Sequence, residues 1–425
     1  MNFEKYYQAV NFLESLSNIR DKKTITIKFN LRKTAALLKE LKINLNQFKF
    51  VHIAGTSGKG SVTAMTHNML RESGYSVGSI YSPHTTTIIE RIKVNNKYIA
   101  PVDFVRLLDK IKPVWEKIYW QDKKMRPTFQ QIILGIALLY FQEKKCQYVV
   151  LETSVGGEHD STNIIKKPLA AVITNIGLDH TKILGKTLPE IARSKAGIIK
   201  PGVPVITAEK KPAIVKIFGN RAKRYGCPFY QVRKNDEFDV IMNGNRQNIN
   251  ANLAAKIGEI LGLEKEAIRR GIKKTALPCR LEVMSHNPTI ILDGAHNPDK
   301  IKSTVESLKK FQYKKLILIF ALNENKDERK ITKIVAPVAD KVFVTRHLHA
   351  SRACNDLKLL YNLFLELNKK IKAEIAVDPW QALGKAISEA KKDDLILITG
   401  SFYLAGELRK KWISEEKILK DNSGK

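Results

Sequence analysis

Apolar residues recur along the first half of the chain in two spacings that predict alternating strands and helices. Five short apolar runs are typical of buried strands, at residues 50–54, 77–81, 148–151, 170–175 and 204–207. Between them, apolar positions three and four residues apart predict amphipathic helices, among them residues 61–72 and 128–143. Strands that alternate with helices indicate an α/β domain whose sheet is mostly parallel.

The same alternation starts again in the second half of the chain. Strand-like runs lie at residues 289–292, 315–320, 341–345, 374–377 and 395–399, and helical periodicity lies at residues 298–311, 328–336, 356–370 and 379–391. The intervening segment 280–288, with His286, Asn287 and Pro288, predicts a linker. We therefore expect two α/β domains, at residues 1–285 and 286–425, with a charged tail after Trp412 that frays.

Length and composition fit a chain of two domains. The 425 residues are 44% hydrophobic, and single cores stop growing near about 250–300 residues. No apolar run approaches the roughly 18–20 residues of a membrane helix, and the N-terminus lacks the layout of a signal peptide. The four cysteines lie far apart and form no CxxC pair. These features predict a cytoplasmic protein without a membrane partner, a disulfide framework or a thiolate zinc site.

The chain is strongly basic, with a net charge of +31. One interpretation is an anionic partner such as RNA, a nucleotide or a polyacidic substrate. The other is a lysine-rich solvated surface, which we favour because the lysines are spread along the whole chain. A nucleic-acid partner is therefore not expected, although a positive field would still speed the arrival of acidic substrates.

The strand at residues 50–54 runs directly into a glycine-rich loop and then a helix. Such a loop presents backbone N–H groups to an anion at the positive end of the helix dipole. Lys59 adds a point charge for the β- and γ-phosphates, and Ser61 stands where phosphate loops carry a hydroxyl. The predicted nucleotide-binding residues here are Gly55, Thr56, Ser57, Gly58, Lys59, Gly60 and Ser61.

From His52 to Ser61 the chain resembles the motif HxxGTxGKG[ST] of the Mur ligase family of ATP-dependent amide synthetases, particularly the folylpolyglutamate and dihydrofolate synthases. Ser57 stands where the folate enzymes usually have Asn. The resemblance implies a P-loop-type ATPase domain followed by a Rossmann-like domain, with ATP and Mg²⁺ as cofactors. It also implies a monomer. The linker and the division of the site between two domains predict that the domains close over the substrates.

Three polar residues follow predicted parallel strands: Ser82, Glu152 and His180. Ligands bind beyond the carboxyl ends of such strands, so these residues can meet the phosphate loop. Mg²⁺ needs only a few protein oxygens beside waters and phosphates. Taken singly, the three could be a turn, a helix cap and a structural histidine. Taken together they resemble the family's metal set.

Lys195 lies in IARSKAGI, which resembles the family's I-A-x-E-K-A-G-I. The resemblance implies that this lysine is carbamylated and binds a second Mg²⁺. A lysine reacts with CO₂ only when it is neutral, so burial or a neighbouring cation must lower its pKa. The alternative is an ordinary surface lysine.

The complete hexapeptide DGAHNP, from Asp293 to Pro298, resembles the family's C-terminal domain. It implies that Asp293 contacts the nucleotide and that His296 and Asn297 line the cleft. By the same resemblance Asn250 touches adenine and Arg280 reaches phosphate, with Cys279 where Gly is usual. Further family-like segments are Lys326-Asp327, Ser351-Arg352-Ala353 and residues 400–403. The predicted catalytic residues are Lys59, His180, Lys195 and His296.

On the acceptor side the resemblance assigns Thr128, His159, Asp160 and Ser161 to substrate. Glu158 replaces an Arg of the family pattern, and Gln130-Gln131 replaces Phe-Glu. The predicted reaction adds L-glutamate to folate through an acyl phosphate, with or without the conversion of dihydropteroate to dihydrofolate. Two alternatives remain: a Mur-type ligase for another carboxylate, and a non-catalytic nucleic-acid-binding protein on a ligase scaffold.

Overall fold

A computed structural model describes residues 3–18, 30–235, 237–324, 326–349 and 353–424. Its α-helices are α1 (Glu4–Asn18), α2 (Asn30–Glu40), α3 (Lys59–Glu72), α4 (Pro101–Gln121), α5 (Phe129–Glu143), α6 (Thr181–Leu184), α7 (Leu188–Ala196), α8 (Pro212–Arg224), α9 (Gln247–Ile260), α10 (Lys265–Lys273), α11 (Pro298–Leu308), α12 (Glu328–Val335), α13 (Leu357–Leu367), α14 (Pro379–Glu389), α15 (Phe402–Arg409) and α16 (Glu415–Asp421). Its strands are β1 (Lys49–Ala54), β2 (Val77–Ile80), β3 (Ile92–Val94), β4 (Lys97–Tyr98), β5 (Tyr148–Glu152), β6 (Ala170–Ile173), β7 (Val205–Thr207), β8 (Phe229–Gln231), β9 (Glu282–His286), β10 (Thr289–Leu292), β11 (Leu316–Phe320), β12 (Lys341–Val344), β13 (Lys372–Ile375) and β14 (Leu395–Thr399).

The first eight strands form one sheet in the order β4-β3-β2-β5-β1-β6-β7-β8. All neighbours from β2 to β8 pair in parallel, and only β3 and β4 are antiparallel. The central strands β1 and β5 are apolar on both faces because helices cover both sides. Phe50 faces the core with α1, α2, α4 and α5, whereas Val51 and Ile53 face α3 and α9. The predicted α/β class is therefore confirmed for this domain.

The second sheet has the order β13-β12-β11-β14-β10-β9. Its five strands from β10 to β14 are parallel neighbours, and helices cover both faces. The predicted linker at residues 280–288 is wrong, because Glu282–His286 is the antiparallel edge strand β9 paired with β10. The predicted boundary between residues 285 and 286 therefore cuts a hairpin, and the second domain begins before Glu282.

The predicted fraying of the tail after Trp412 is also wrong. Helix α16 buries Ile418 and Leu419 completely in the core of the first domain. The backbone N–H of Tyr98 in β4 donates to the carbonyl of Asn422 over 2.8 Å. The C-terminal segment thus returns from the second domain to the edge of the first sheet.

Loops at the carboxyl ends of both sheets meet in one cleft. The loop after β1, the Ser82-Pro83 turn after β2, Glu152 at the end of β5 and the segment after β10 all line it. This is where parallel α/β sheets bind ligands. In the part of the chain that the structure describes, no helix is long and apolar enough to cross a membrane.

Candidate active site

The phosphate loop between β1 and α3 is shaped by two glycines with positive φ. Gly55 has φ 146°, and a Cβ there would lie 1.8 Å from the hydroxyl oxygen of Thr174. Gly58 has φ 85°, and a Cβ would lie 2.4 Å from the side-chain oxygen of Asn250. Only glycine meets both requirements, backbone angle and space. Helix α3 starts at Lys59, directly after Gly58.

Hydrogen bonds to the loop after β6 fix the phosphate loop in place. The N–H of Thr56 donates to the carbonyl of Asn175 over 2.9 Å, and the N–H of Ser57 donates to the Asn175 side-chain oxygen over 2.9 Å. The hydroxyl of Thr174 donates back to the Ser57 carbonyl over 2.6 Å. These three hydrogen bonds hold the phosphate loop against the loop after β6.

Glu152 is a buried carboxylate beside the phosphate loop. Its Oε1 lies 3.9 Å from Nζ of Lys59, and its Oε2 accepts a 3.1 Å hydrogen bond from the N–H of Ser82. Burial raises the pKa of Glu152, and the charge of Lys59 opposes that shift. The structure therefore brings together Ser82, Glu152 and Lys59, three of the residues predicted for metal and phosphate.

Lys195 lies behind the phosphate loop and is only 4% exposed. Its Nζ donates to the carbonyl of Gly55 over 2.9 Å. Burial, and then the charge of Lys59, lowers the pKa of Lys195 to about 7. This lysine is thus not an ordinary surface lysine, and a substantial neutral fraction exists near neutral pH.

His180 lies at the rim of the site, with its side chain 36% exposed. Burial of its inner part lowers the pKa of His180 to about 4, against the opposing charge of Asp179. Asp179 accepts hydrogen bonds from the second domain, from Nζ of Lys326 over 2.9 Å and from Nδ2 of Asn297 over 3.0 Å. His180 is therefore neutral near pH 7 and stands where the two domains are joined.

In the second domain, Asp293 organises the loop that carries Arg280. Asp293 accepts hydrogen bonds from the N–H of Leu281 over 3.0 Å and from the hydroxyl of Thr304 over 2.7 Å. Cys279 has φ 52°, a left-handed conformation that explains why Gly would suit this position. The guanidinium of Arg280 lies over the Phe402 ring, 4.2 Å from its centroid.

His296 and Lys300 form a second polar pair next to this loop. Nδ1 of His296 lies 2.8 Å from the Gly294 carbonyl and Nζ of Lys300 lies 3.3 Å from Nε2. The ring therefore donates through Nδ1 and accepts through Nε2. Burial lowers the pKa of Lys300 to about 7, against the opposing charge of Asp179.

The cleft between the domains is open to solvent and has a cavity volume of about 100 Å³. Of the predicted site residues it is lined by Thr56, Ser57, Gly58, Lys59, Gly60, Ser61, Ser82, Glu152, Asn250, Arg280 and Asp293. His180, Lys195 and His296 lie beside the cleft and do not line it. Ser351 and Arg352 lie outside the described residues.

The predicted acceptor residues form a separate network at the start of α5. Asp160 accepts hydrogen bonds from the N–H groups of Ser154, Val155 and Thr162, which shape its own loop. Thr128 caps α5 through Gln131, and Gln131 donates to the Ser161 hydroxyl over 2.8 Å. His159 is half-buried and its neighbour Glu158 is exposed. Asp160, Thr128 and Ser161 therefore stabilise the local structure through these contacts. Their contact with substrate stays a prediction.

Sequence reasoning missed four charged residues of the site: Asp179, Arg246, Asp299 and Lys300. Asp299 and Lys300 directly follow the DGAHNP hexapeptide, and Asp179 precedes His180, so proximity to a motif was a signal in three cases. Arg246 lines the cleft and had no such signal beyond its place before Gln247. All four act across the domain boundary or face the cleft.

A glycine phosphate loop, a buried carboxylate beside its lysine, and a facing domain that contributes cations define a nucleotide-dependent enzyme of the two-domain ligase type. The chain matches the Mur ligase middle domain over residues 53–258 and the Mur ligase glutamate ligase domain over residues 279–402.

Named relatives agree over nearly the whole chain. The dihydrofolate synthase/folylpolyglutamate synthase of Bacillus subtilis is 32% identical over 422 residues, which cover 91% of this chain and 96% of the relative. The crystal structure of the Thermotoga maritima folylpolyglutamate synthase is 30% identical, covers 98% of both chains and has a TM-score of 0.80. The Mycobacterium tuberculosis folylpolyglutamate synthase complexed with ADP is 25% identical, with 96% and 99% covered and a TM-score of 0.86. The chain therefore belongs to the Mur ligase family, in its folylpolyglutamate and dihydrofolate synthase branch.

Proposed function

We propose that this chain is an ATP-dependent ligase that joins the amine of L-glutamate to the carboxylate of a folate. The observation that supports it most directly is the cleft between the domains. There the phosphate loop, the buried Glu152 and the cation of Arg280 face one space. Relatives named folylpolyglutamate synthase supply the substrate class.

ATP is assigned to the phosphate loop and the cleft. The loop N–H groups and Lys59 suit the phosphates, and Asn250, which packs against Gly58, is assigned to the adenine side. The Mycobacterium tuberculosis relative is described in complex with ADP. In this arrangement Arg280 and Asp293 reach the nucleotide from the second domain.

The residues beside the phosphate loop fit a phosphate-bound Mg²⁺. Glu152 is a buried carboxylate, and a divalent cation would balance its charge better than the single Lys59 at 3.9 Å. Mg²⁺ bound to phosphates keeps several waters and needs only one or two protein oxygens. Ser82, Glu152 and His180 would hold it, and it would supply charge stabilisation to the transferring phosphoryl group.

Lys195 is assigned as a carbamylated residue that completes a second metal site. Its pKa of about 7 provides the neutral amine that CO₂ requires. Its burial would protect the carbamate from water. Carbamylation would also replace a buried cation next to Lys59 by an anion, which removes the repulsion between the two lysines.

In the proposed reaction a folate carboxylate oxygen attacks the γ-phosphorus of ATP, and ADP leaves. The glutamate amine, after losing a proton, attacks the acyl carbon of the acyl phosphate, and phosphate leaves as the amide forms. Lys59 and Arg280 stabilise the charge that develops on the phosphoryl oxygens. Rigid loop contacts to Asn175 and Thr174 hold the reacting groups in position.

The acceptor side favours folate less strongly than the nucleotide side favours ATP. Glu158 is exposed, and its negative charge stands where the family pattern has an arginine. A Mur-type ligase for another carboxylate is therefore the second candidate. We further propose a monomer, as the family resemblance implies, and a cytoplasmic location, since four widely spaced cysteines fit a reducing compartment.

The test is phosphate release by the purified chain with Mg²⁺-ATP and L-glutamate, with tetrahydrofolate, dihydropteroate or no acceptor. Release that depends on an acceptor, with a product heavier by one glutamate, supports the proposal and separates the two folate activities. If neither acceptor stimulates phosphate release, the assignment moves to a ligase for another carboxylate. Absence of ATP binding would contradict it and return attention to nucleic acid, which a binding titration at modest salt would check.

A further inference from the structure

The Asp299 carboxylate of the second domain binds the phosphate loop of the first domain, and this set of hydrogen bonds is termed the grip. Asp299, in the first turn of α11, accepts a 2.8 Å hydrogen bond from the hydroxyl of Ser57. The same oxygen accepts from Nδ2 of Asn175 over 3.1 Å. Ser57 and Asp299 are 242 positions apart in the chain, so this contact exists only while the domains are closed against each other.

The same carboxylate also holds Arg246 at the wall of the cleft. Two guanidinium nitrogens of Arg246 donate to the two oxygens of Asp299, over 2.7 and 2.6 Å. Burial alone would raise the pKa of Asp299, but Arg246, Ser57 and Asn175 outweigh burial and keep that pKa below its usual value. The bidentate geometry fixes the orientation of the guanidinium.

Asp299 does not itself line the cleft, whereas Ser57 and Arg246 do. Asn175 connects the grip to the loop backbone, because its side-chain oxygen accepts from the N–H of Ser57. A contact in the opposite direction lies nearby, where Asp179 of the first domain accepts from Asn297 and Lys326 of the second. The start of α11 is therefore bound to the phosphate loop and to the loop after β6.

We propose that Asp299 is a positioning residue that transmits closure of the two domains to the phosphate loop, by binding Ser57, Asn175 and Arg246 at once. Ser57 stands where the folate enzymes usually have Asn, and its short hydroxyl side chain reaches the Asp299 carboxylate directly. The proposal rests on the proposed ligase function for its effect on turnover, but the grip itself is a property of the fold.

The variant Asp299→Asn tests the proposal because its side chain has nearly the same shape. One oxygen that accepts hydrogen bonds becomes an amide nitrogen, which cannot accept from Ser57, Asn175 or Arg246. Turnover with acceptor and glutamate should fall about 10- to 100-fold, as for a small misplacement of reacting groups. The affinity for ADP, measured by calorimetry, should change less than about threefold, because the backbone cradle binds the phosphates. Ser57→Ala should lower turnover less than Asp299→Asn does. The double variant should turn over no more slowly than Asp299→Asn alone.

The matched control is Glu328→Gln, which removes an acidic residue from the first turn of α12. It should keep wild-type turnover, which separates the grip from a helix-dipole effect. Independent effects of Ser57→Ala and Asp299→Asn, or an ADP affinity that falls as much as turnover, would overturn the proposal. If Asp299→Asn does not fold, the same turnover and affinity comparison for Ser57→Ala decides.

Hydrogen exchange separates failure of this proposal from failure of the proposed function. In the nucleotide-free protein, Asp299→Asn should speed amide exchange of residues 55–61, since Asn175 loses its anchor. Faster exchange in a protein without ligase activity would support the grip while the proposed function fails. Unchanged exchange in an active ligase would overturn the grip alone.

Discussion

The two walls of the cleft are built by different means. The wall from the first domain is a continuous loop, residues 55–61, whose shape comes from backbone angles at Gly55 and Gly58. The wall from the second domain is a set of separate side chains within residues 280–300. Asp293 accepts buried hydrogen bonds, Arg280 lies over the Phe402 ring and Lys300 contacts His296. The backbone wall and the motif residues Arg280 and Asp293 can be recognised in the sequence, whereas the contribution of Lys300 depends on how the domains pack.

Each domain contributes one lysine with a lowered pKa, and the two lysines differ in their surroundings. Lys195 is buried and Lys300 is half-buried, and both have a pKa lowered to about 7. Lys195 donates a hydrogen bond to the carbonyl of Gly55 behind the phosphate loop. A carbamate formed there would be protected from water. Lys300 faces the cleft beside His296, where its charge can respond to phosphate.

The largest expected effect is on the backbone wall. Lys59→Met should lower kcat/KM about 1,000-fold, because the charge of the transferring phosphoryl group loses its nearest cation. Arg280→Met, on the other wall, should cost about 100-fold. Phosphate-release kinetics with Lys124→Met, an exposed lysine, as the control would measure both. A larger loss for Arg280→Met than for Lys59→Met would reverse the proposed division of labour.

The next effect is on stability. Gly55→Ala should reduce the free energy of unfolding by about 3 kcal/mol, because its Cβ would overlap the Thr174 hydroxyl at an unfavourable φ. Gly60→Ala is the matched variant, with its nearest neighbour at 3.5 Å and no positive φ, and it should cost less than about 1 kcal/mol. Urea unfolding of both proteins would test this. Equal losses would show that the backbone wall tolerates side chains.

The half-buried Lys300 predicts that the free energy of unfolding depends on pH. Its pKa lies near 7 in the folded protein and near 10.5 in the unfolded chain. Between these values the unfolded chain binds the proton and the folded protein does not, so the free energy of unfolding rises with pH. Lys59, Arg280 and Lys326 oppose its protonation, Asp179 favours it, and His296 contacts it.

Lys300→Met should therefore stabilise the nucleotide-free protein by roughly 2 kcal/mol more at pH 8.5 than at pH 10. Lys302→Met, an exposed lysine of the same helix, is the control. Unfolding curves at the two pH values would show the difference. A stabilisation that grows with pH would contradict the assigned burial of the charge.

A smaller effect is expected from a single hydrogen bond of the side-chain wall. Thr304→Val keeps the shape but removes the donor to Asp293, which should cost about 1–2 kcal/mol. Thr332→Val, at another buried threonine of the same domain, provides a comparison. Thermal unfolding would rank the two variants. If Thr304→Val cost nothing, Asp293 would not depend on this contact.

The sequence was informative where a pattern is local. The strands β10 and β14 coincide with the predicted runs because both are continuous apolar stretches bounded by polar residues. Strand β9 was missed because Glu282–His286 is only half-buried, with no strong apolar pattern. Helix α16 was missed because its partners lie in the first domain and its sequence is mostly charged.

The candidate site divides in the same way. Residues 55–61 were located by their glycines and lysine, and the hexapeptide located Asp293 and His296. The contact of Asp299 with Ser57 could not be predicted, since it depends on the orientation of two domains and on residues distant in the chain. A local motif carries no information about that orientation.

The most direct test of the central claim follows an oxygen atom through the reaction. Folate labelled with ¹⁸O in the reacting carboxylate is incubated with the chain, Mg²⁺-ATP and L-glutamate, and the released phosphate is analysed by mass spectrometry. Reaction through an acyl phosphate predicts that one labelled oxygen appears in each phosphate as the amide forms. Unlabelled pyrophosphate accompanied by labelled AMP, or ATP hydrolysis without amide formation, would contradict the account.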